Sequence, residues 1–280
     1  MKSLPLPLLM DRGELISLSA PDSPISGTPL ISVVMTCYNS MRWLDAAIQS
    51  LLTQTWDNFE LILVDDGSTD GTRSHITTLA RDEPRIRAAW MQHNKGTYAA
   101  KNAGIRLARG EVITFADSDD VSSPERLEAQ LEMLRAPGLV ATTCNYERRT
   151  IDDKIVLNRG LAARQALISM MIKRHVINEI GWFDGSVRVA ADDEFFERLR
   201  AVYGRSAHAN VQRSLYIALY REGSLSNDNS KDARIDMRGE ELPPARALYK
   251  RESASWHAAE RSAGLYPYMP YIQNSHPFWE

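Results

Sequence analysis

Apolar residues follow two rhythms along this chain. Nearly continuous apolar runs at 31–36, 61–64, 86–90 and 112–116 read as buried strands. Between them apolar residues recur every three or four positions. Trp43, Leu44, Ala47, Ile48, Leu51 and Leu52 mark one helix, and Ile76 and Leu79, after Thr69 and Asp70, mark another. A third spans 98–108 and is closed by Gly110. Such alternation predicts a mostly parallel sheet with helices on both faces. Ser123-Pro124-Glu125 predicts a further helix start, with a serine cap, proline at the first position and an acid in the first turn, continued by Leu127, Leu131 and Leu134. Beyond 138 the pattern loosens. Strands are expected at 139–143, 155–157 and 215–220, and a helix over 191–203 with the stripe Phe195, Phe196, Leu199 and Val202.

The ends differ from this middle. Residues 1–29 carry Pro5, Pro7, Pro21, Pro24 and Pro29 among serines and glycines, which suits a leader or linker. The first ten residues faintly resemble a signal peptide, but Pro5 and Pro7 interrupt them, Asp11 and Arg12 follow, and no small-residue cleavage site is evident. Residues 223–232 are polar and loop-like. The tail is partly helical and then aromatic, with Tyr266, Tyr268, Tyr271, Phe278 and Trp279. Its stop after an aromatic segment leaves open a longer polypeptide. No internal repeat is evident.

Composition changes the picture little. At 280 residues, 44% apolar and 25% charged, the chain has the make-up of a globular protein with a substantial core. A net charge of −3 offers no basic field for nucleic acid. Cys37 and Cys144 form neither a disulfide framework nor a zinc pattern and fit a reducing compartment. No apolar stretch is long enough to span a bilayer.

The candidate chemistry lies at predicted strand ends. Asp117, Asp119 and Asp120 follow the run 112–116, at the edge where open α/β sheets bind ligands. Acids this close repel one another unless a cation holds them, and oxygen donors suit Mg²⁺ or Mn²⁺. The competing reading is an acidic turn capping the helix at Pro124, with Asp120 nearest that turn. Asp65-Asp66-Gly67-Ser68 ends the second strand; a carboxylate there can accept a base N–H or a ribose hydroxyl, or Asp65 or Ser68 can cap a helix.

Several segments in order resemble the family 2 glycosyltransferases of the GT-A fold. They are Ser32-Val33-Val34-Met35-Thr36-Cys37-Tyr38-Asn39, Gln54-Thr55-Trp56-Asp57-Asn58-Phe59-Glu60-Leu61, and Val64-Asp65-Asp66-Gly67-Ser68-Thr69-Asp70-Gly71-Thr72. Lys101-Asn102-Ala103-Gly104-Ile105, Ala108-Arg109-Gly110-Glu111 and Ala116-Asp117-Ser118-Asp119-Asp120 follow, then Gly181-Trp182-Phe183-Asp184 and Ala191-Asp192-Asp193-Glu194-Phe195. The resemblance spans about 30–226. It implies an α/β GT-A fold: a Rossmann-like, mostly parallel central sheet flanked by helices, with a C-terminal helical and aromatic extension. It divides the chain into a leader (1–29), a transferase domain (30–226, with a nucleotide-binding half 30–120 and an acceptor half 121–226) and an extension (227–280).

Carried over residue by residue, the resemblance implies that Asp119 ligates the metal. Asp117 and Ser118 face the ribose or the metal's water shell. Asp66 contacts uracil, and Thr36 and Tyr38 line the base pocket. Lys101 reaches ribose or phosphate, although a solvated surface lysine reads equally well. An inverting transfer needs a general base, and Asp192 aligns with it, with Asp193 in reserve; acids serving only the helix dipole are the competing reading. Trp182 and Asp184 would border the sugar and acceptor pocket, and Arg221, before Gly223-Ser224-Leu225-Ser226, would meet the diphosphate from a closing loop. His175 and His208 sit in no convincing motif and are not nominated.

The implied function is transfer of a sugar, with inversion, from a nucleotide-sugar, foremost a UDP-sugar, to a saccharide or lipid-linked glycan acceptor, with Mn²⁺ or Mg²⁺ as cofactor. Its setting would be polysaccharide or glycoconjugate biosynthesis, in the cytoplasm or peripheral at the inner face of the membrane. Two other readings stay open. Nucleotidyl transfer would ordinarily open with a glycine-rich phosphate loop and a basic pair, which Thr36-Cys37-Tyr38-Asn39 lacks. A catalytically idle scaffold would keep the fold for partner binding.

Overall fold

The computed structural model describes residues 25, 27–157, 160–221 and 244–271. Most of the expected leader, the stretch 223–226 and the aromatic residues Phe278 and Trp279 lie outside them.

The first half is a regular alternation: β1 (Ile31–Cys37), α1 (Leu44–Leu52), β2 (Phe59–Asp65), α2 (Thr72–Asp82), β3 (Ile86–Trp90), α3 (Thr97–Leu107) and β4 (Val112–Asp117). β5 (Val121–Ser122) and α4 (Arg126–Leu134) follow, then β6 (Ala141–Arg149), β7 (Ala163–Lys173), α5 (His175–Ile180), α6 (Ala191–Tyr203), β8 (His208–Leu219) and α7 (Pro244–Ser262). One eight-stranded sheet runs in the order β3-β2-β1-β4-β7-β6-β8-β5. β1 to β4 pair in parallel, β7 runs antiparallel to β4 and β6, and β6 and β8 are parallel.

β1 and β2 are buried at every position because both sheet faces are covered. Their alternate side chains feed two separate cores. Val34, Ile62, Val64 and Phe115 point toward α3, α5 and α6, where Ile105, Ile177, Phe195 and Leu199 meet them. Val33, Met35, Leu61 and Leu63 point the other way, onto Leu44 and Leu51 of α1 and Leu127 and Leu131 of α4.

The structure departs from the sequence pattern at four places. α4 begins at Arg126 with no side-chain cap, so Ser123 is not its cap. Instead the Ser123 carbonyl accepts from Gln54 Nε2 at 2.7 Å and the Ser123 N–H donates to Leu215, tying this turn to α1 and β8. The strand expected at 155–157 is a single bridge from Ile155 to Arg149. β7 was not legible because its sequence ARQALISMMIK carries no alternation, and α5, six residues long, is too short to show a helical period. β8 starts seven residues before the expected 215, through a polar stretch that pairs with β6.

Candidate active site

The carboxyl ends of the central strands lie in register. Thr36 sits beside Val64 on one side and Asp117 on the other, and Cys37 sits beside Asp65. The chain therefore leaves β1, β2 and β4 along one edge of the sheet. The loops there, with the starts of α3 and α6, parts of β6 to β8 and Arg246 of α7, enclose a cavity of about 790 Å³. Thr36, Tyr38, Asp66, Lys101, Asp117, Ser118, Asp119 and Asp192 all line it.

On the β1–β2 side, Thr36 Oγ1 lies 3.0 Å from Thr97 Oγ1. Tyr38 is 48% exposed, so its ring is not consumed by packing. Asp66 is buried, and its two oxygens accept the N–H groups of Lys95 and Gly96, each at 2.8 Å. Burial pushes its carboxyl up in spite of these bonds. Gly67 follows with φ +75°, and a Cβ there would lie 2.8 Å from the Asn94 nitrogen, so the loop passes only with glycine. Asp65 serves structure: fully buried, it accepts from Arg73 Nε at 2.8 Å and from the Ser68 N–H at 3.2 Å. Asp70, not Asp65 or Ser68, holds the start of α2, accepting from the Thr72 N–H at 3.1 Å and its hydroxyl at 2.6 Å.

The acid turn sits under this pocket. Lys101 is buried, not solvated, with Nζ 3.8 Å from Asp117 Oδ1 and near the rings of Tyr98 and Phe115. The hydroxyls of Ser118 and Ser40 are 2.6 Å apart. Asp119 Oδ2 accepts from Arg221 Nε at 2.9 Å and pairs with Nη2 at 2.7 Å. Asp120, which also lines the cavity, accepts the Leu219 N–H at 2.8 Å, so it anchors β8 and does not cap α4. Burial raises the carboxyl of Asp117, with Lys101 opposing and the charges of Asp119 and Asp192 adding to it. Burial followed by the charges of Asp119 and Asp117 pushes Asp120 well above the usual carboxylate range. The turn thus brings three carboxylates together, with the cations Lys101 and Arg221 beside them.

These hard oxygen donors fit Mg²⁺ or Mn²⁺. Among the described residues no group of three or more His, Cys, Asp or Glu converges on one point. One or two carboxylates are nonetheless what such an ion uses when phosphate oxygens and water complete its shell.

Three consecutive acids open α6, and the structure gives each a different fate. Asp192 Oδ1 accepts the Tyr98 hydroxyl at 2.7 Å and faces the cavity. Asp193 Oδ2 accepts from Arg246 at 2.8 Å and pairs with Lys250 at 2.9 Å. Glu194 is buried, pairing with Arg198 at 2.7 Å and with His257 at 2.9 Å. Burial pushes the Glu194 carboxyl up, but Arg198 and His257 outweigh this and hold it below its ordinary value.

Trp182 and Asp184 do not line the cavity. The Trp182 ring meets Tyr271 edge-on at 5.0 Å, and the Trp182 backbone N–H donates to the Met269 carbonyl. Asp184 is fully buried, accepting from Ser186 and from the Tyr249 hydroxyl at 3.1 Å. Both therefore hold the C-terminal segment against the core. His208 lies within hydrogen-bond reach of Thr143 at 2.9 Å, and burial lowers it to about 4; His175 stacks edge-on near Tyr203. Neither lines the cavity. Tyr98, Arg188 and Arg246 do line it and were not nominated. Arg246 and Lys250 share one helix face by their spacing, a detectable signal, but nothing in the sequence names the acid they meet.

Known proteins share this architecture. Residues 1–349 of Staphylococcus aureus TarS, in complex with UDP-GlcNAc, align with a TM-score of 0.60 at 20% identity, covering 80% of this chain and 65% of that one. A mannosyltransferase from Pyrobaculum calidifontis, in complex with GDP-Man and Mn²⁺, aligns with a TM-score of 0.56 at 17% identity, covering 86% and 78%. The fold is thus GT-A. In sequence, an uncharacterized glycosyltransferase of Haemophilus influenzae is 42% identical over 118 residues, 42% of this chain and 47% of its own. WfgD of Escherichia coli, a UDP-Glc:alpha-D-GlcNAc-diphosphoundecaprenol beta-1,3-glucosyltransferase, is 31% identical over 144 residues, 51% of this chain and 55% of its own. The chain spans less than half the length of the first curated relatives it matches. The family model for glycosyl transferase family 2 matches residues 32–198, more than half of the chain and all of the strands that carry the acid turn, and the chain belongs to that family.

Proposed function

We propose that this protein transfers a sugar from a nucleotide-sugar, foremost a UDP-sugar, to an acceptor hydroxyl with inversion at the anomeric carbon. The observation that carries the reading is the convergence of Asp66 after β2, Asp117 and Asp119 at the end of β4, and Asp192 of α6 on one cavity. Solved neighbours of this fold hold UDP-GlcNAc and GDP-Man, which supports a nucleotide-sugar donor.

In this reading Thr36, Tyr38 and Asp66 receive the nucleoside, with Tyr38 as the stacking face. Asp119, with Asp117 and Ser118 beside it, would hold a divalent ion, which when bound neutralises the diphosphate leaving group. Lys101 lends positive charge to the same turn. Asp192 takes the proton from the acceptor hydroxyl as that oxygen bonds to the anomeric carbon and the bond to the diphosphate breaks. The single displacement inverts the centre. The Tyr98 hydroxyl, donating to Oδ1 at 2.7 Å, fixes the Asp192 carboxyl in the first turn of α6, where it faces the cavity. Asp193 and Glu194 are already engaged by cations, which supports Asp192 over either.

The acceptor in this reading is a lipid-linked glycan, as the name of WfgD supports, and the protein works at the cytoplasmic face of a membrane. No helix among the described residues is long and apolar enough to cross one. A peripheral contact has a surface to use. Ile151, Ile155, Leu157 and Leu161, all about half exposed or more, cluster between β6 and β7, whose residues Arg148 and Arg164 line the cavity.

The test is thermal stabilisation of the chain by UDP-sugars with and without Mn²⁺, followed by assay of released nucleoside diphosphate. Asp119→Asn should lose the metal-dependent part of the stabilisation. Asp192→Asn should keep donor binding while turnover drops by about 10²–10⁴-fold, the usual contribution of a general base. Turnover at the parent rate in Asp192→Asn would remove the base assignment, and release of pyrophosphate in place of nucleoside diphosphate would favour nucleotidyl transfer.

A further inference from the structure

The matched family region ends at residue 198, yet the cavity wall includes Arg246, from a helix well beyond it. We propose that Arg246 is a positioning residue that reserves Asp192 for proton abstraction by pairing with its neighbour Asp193 and setting a positive charge near Asp192. The proposal rests on the glycosyl transfer reading above.

Two carboxylates on consecutive residues open α6, and both line the cavity. By position alone either could take a proton from an acceptor hydroxyl. The structure treats the two unequally. Arg246 Nη2 and Lys250 Nζ, one turn apart on α7, both close on Asp193 Oδ2, at 2.8 and 2.9 Å. The Arg246 side chain is only 14% exposed, so its charge is poorly screened. The charge of Arg246 also acts on Asp192 and on the Tyr98 hydroxyl bonded to it. Asp193 is thereby neutralised in place. Asp192 keeps one hydrogen bond from a neutral donor and the attraction of a cation that does not sit on its oxygens.

Among the described residues, the other groups facing Asp192 do not supply this. Tyr98 of α3 is neutral, with its hydroxyl held from ionising by burial and by the Asp192 charge. Asp117 of β4 and Asp193 on α6 are acids and act in the opposite sense. Lys101 pairs with Asp117, and Arg188 donates to Asn94. Arg246 is the cation on α7 whose charge reaches both acids of the pair.

The experiment follows UDP release to water from UDP-glucose or UDP-N-acetylglucosamine, whichever stabilises the full chain, between pH 5 and 9. Arg246→Gln leaves Lys250 on Asp193 and so isolates the effect on Asp192. Removing a cation raises a carboxyl pKa, so the acid limb of kcat/KM should move up by roughly one pH unit. The rate should fall several-fold more at low pH than at high pH, with donor stabilisation unchanged. Arg246→Lys should restore most of the limb, and Asp193→Asn should keep turnover that Asp192→Asn loses. Should water be too poor an acceptor for a rate, carbon-13 NMR of the aspartate carboxyls reads the same displacement, with the Asp192 signal assigned by its loss in Asp192→Asn.

An equal loss at every pH in Arg246→Gln, an increase in KM alone, or an unmoved Asp192 resonance would overturn the inference. So would an Asp193→Asn variant as inactive as Asp192→Asn. Inactive Asp192→Asn with an unshifted Arg246→Gln profile sinks this inference and leaves the base assignment standing. Fully active Asp192→Asn sinks the base assignment itself.

Discussion

Single residues in this molecule are understood by asking which charges neutralise them. Asp192, Asp193 and Glu194 are consecutive acids with three different environments: a phenol, two cations from α7, and a buried guanidinium with an imidazole. Glu194 is the structural one. Arg198 is fully buried and also donates to the carbonyls of Ile180 and Trp182, so it has no route to solvent when its partner is lost. Glu194→Gln should therefore destabilise the fold by about 3–5 kcal/mol, the usual consequence of stranding a buried charge. A denaturant titration that found less than 1 kcal/mol, on the order of an exposed pair, would contradict this. The sign of the pH dependence follows as well. The folded carboxyl lies below its ordinary value of 4.5, so its contribution is complete above that pH and is lost as pH falls below it. The melting temperature of the parent should drop more steeply in that acid range than that of Glu194→Gln.

At the scale of elements, the C-terminal segment is a built part of the core. α7 packs on α6 through Tyr249, Trp256 and His257, and the chain then returns to place Met269 beside Gly181. Gly181 has φ +84°, and a Cβ on it would lie 2.0 Å from the Met269 carbonyl oxygen. Gly181→Ala combines a disfavoured backbone with a clash against main chain that cannot rotate away. It should lower stability by at least about 2 kcal/mol. Hydrogen exchange should show the amides of Trp182 and Met269 losing protection first. Unchanged protection there would mean that the segment is held by α7 alone. The Gly181-Trp182-Phe183-Asp184 motif thus supports the site from behind, through Asn102 and Tyr249, without touching the cavity.

At the scale of the whole molecule, the cavity opens beside the apolar cluster between β6 and β7. A transferase that meets a lipid-linked acceptor benefits from holding its acceptor side against the bilayer. Half-exposed apolar side chains, interspersed with Asp152, Asp153 and Lys154, give weak, reversible attachment. The full chain should sediment with phosphatidylethanolamine–phosphatidylglycerol vesicles. The combined variant Ile151→Ser, Leu157→Ser, Leu161→Ser should bind at least about tenfold less. Its nucleotide-sugar stabilisation should match that of the parent. Equal sedimentation of parent and variant would place any membrane contact elsewhere.

What the sequence determined was the regular alternation of its first half. Apolar runs and helical spacing located β1 to β4 and the helices between them, because β1, β2 and β4 are buried along almost their whole length and the helices bury one face at a helical period. The acids Asp66, Asp117, Asp119 and Asp192 were legible because they stand at element ends in recognisable motifs. The tertiary structure decided their partners. Whether Lys101 was solvated, whether Asp184 faced the cavity, and which of two adjacent aspartates a distant helix would neutralise depend on contacts between residues far apart in the chain. Lys101 lies 16 positions from Asp117, and Arg246 lies 53 from Asp193. No periodicity encodes such pairings; they arise only when the sheet and its covering helices bring separate segments within a few ångströms, where Coulomb forces and desolvation act.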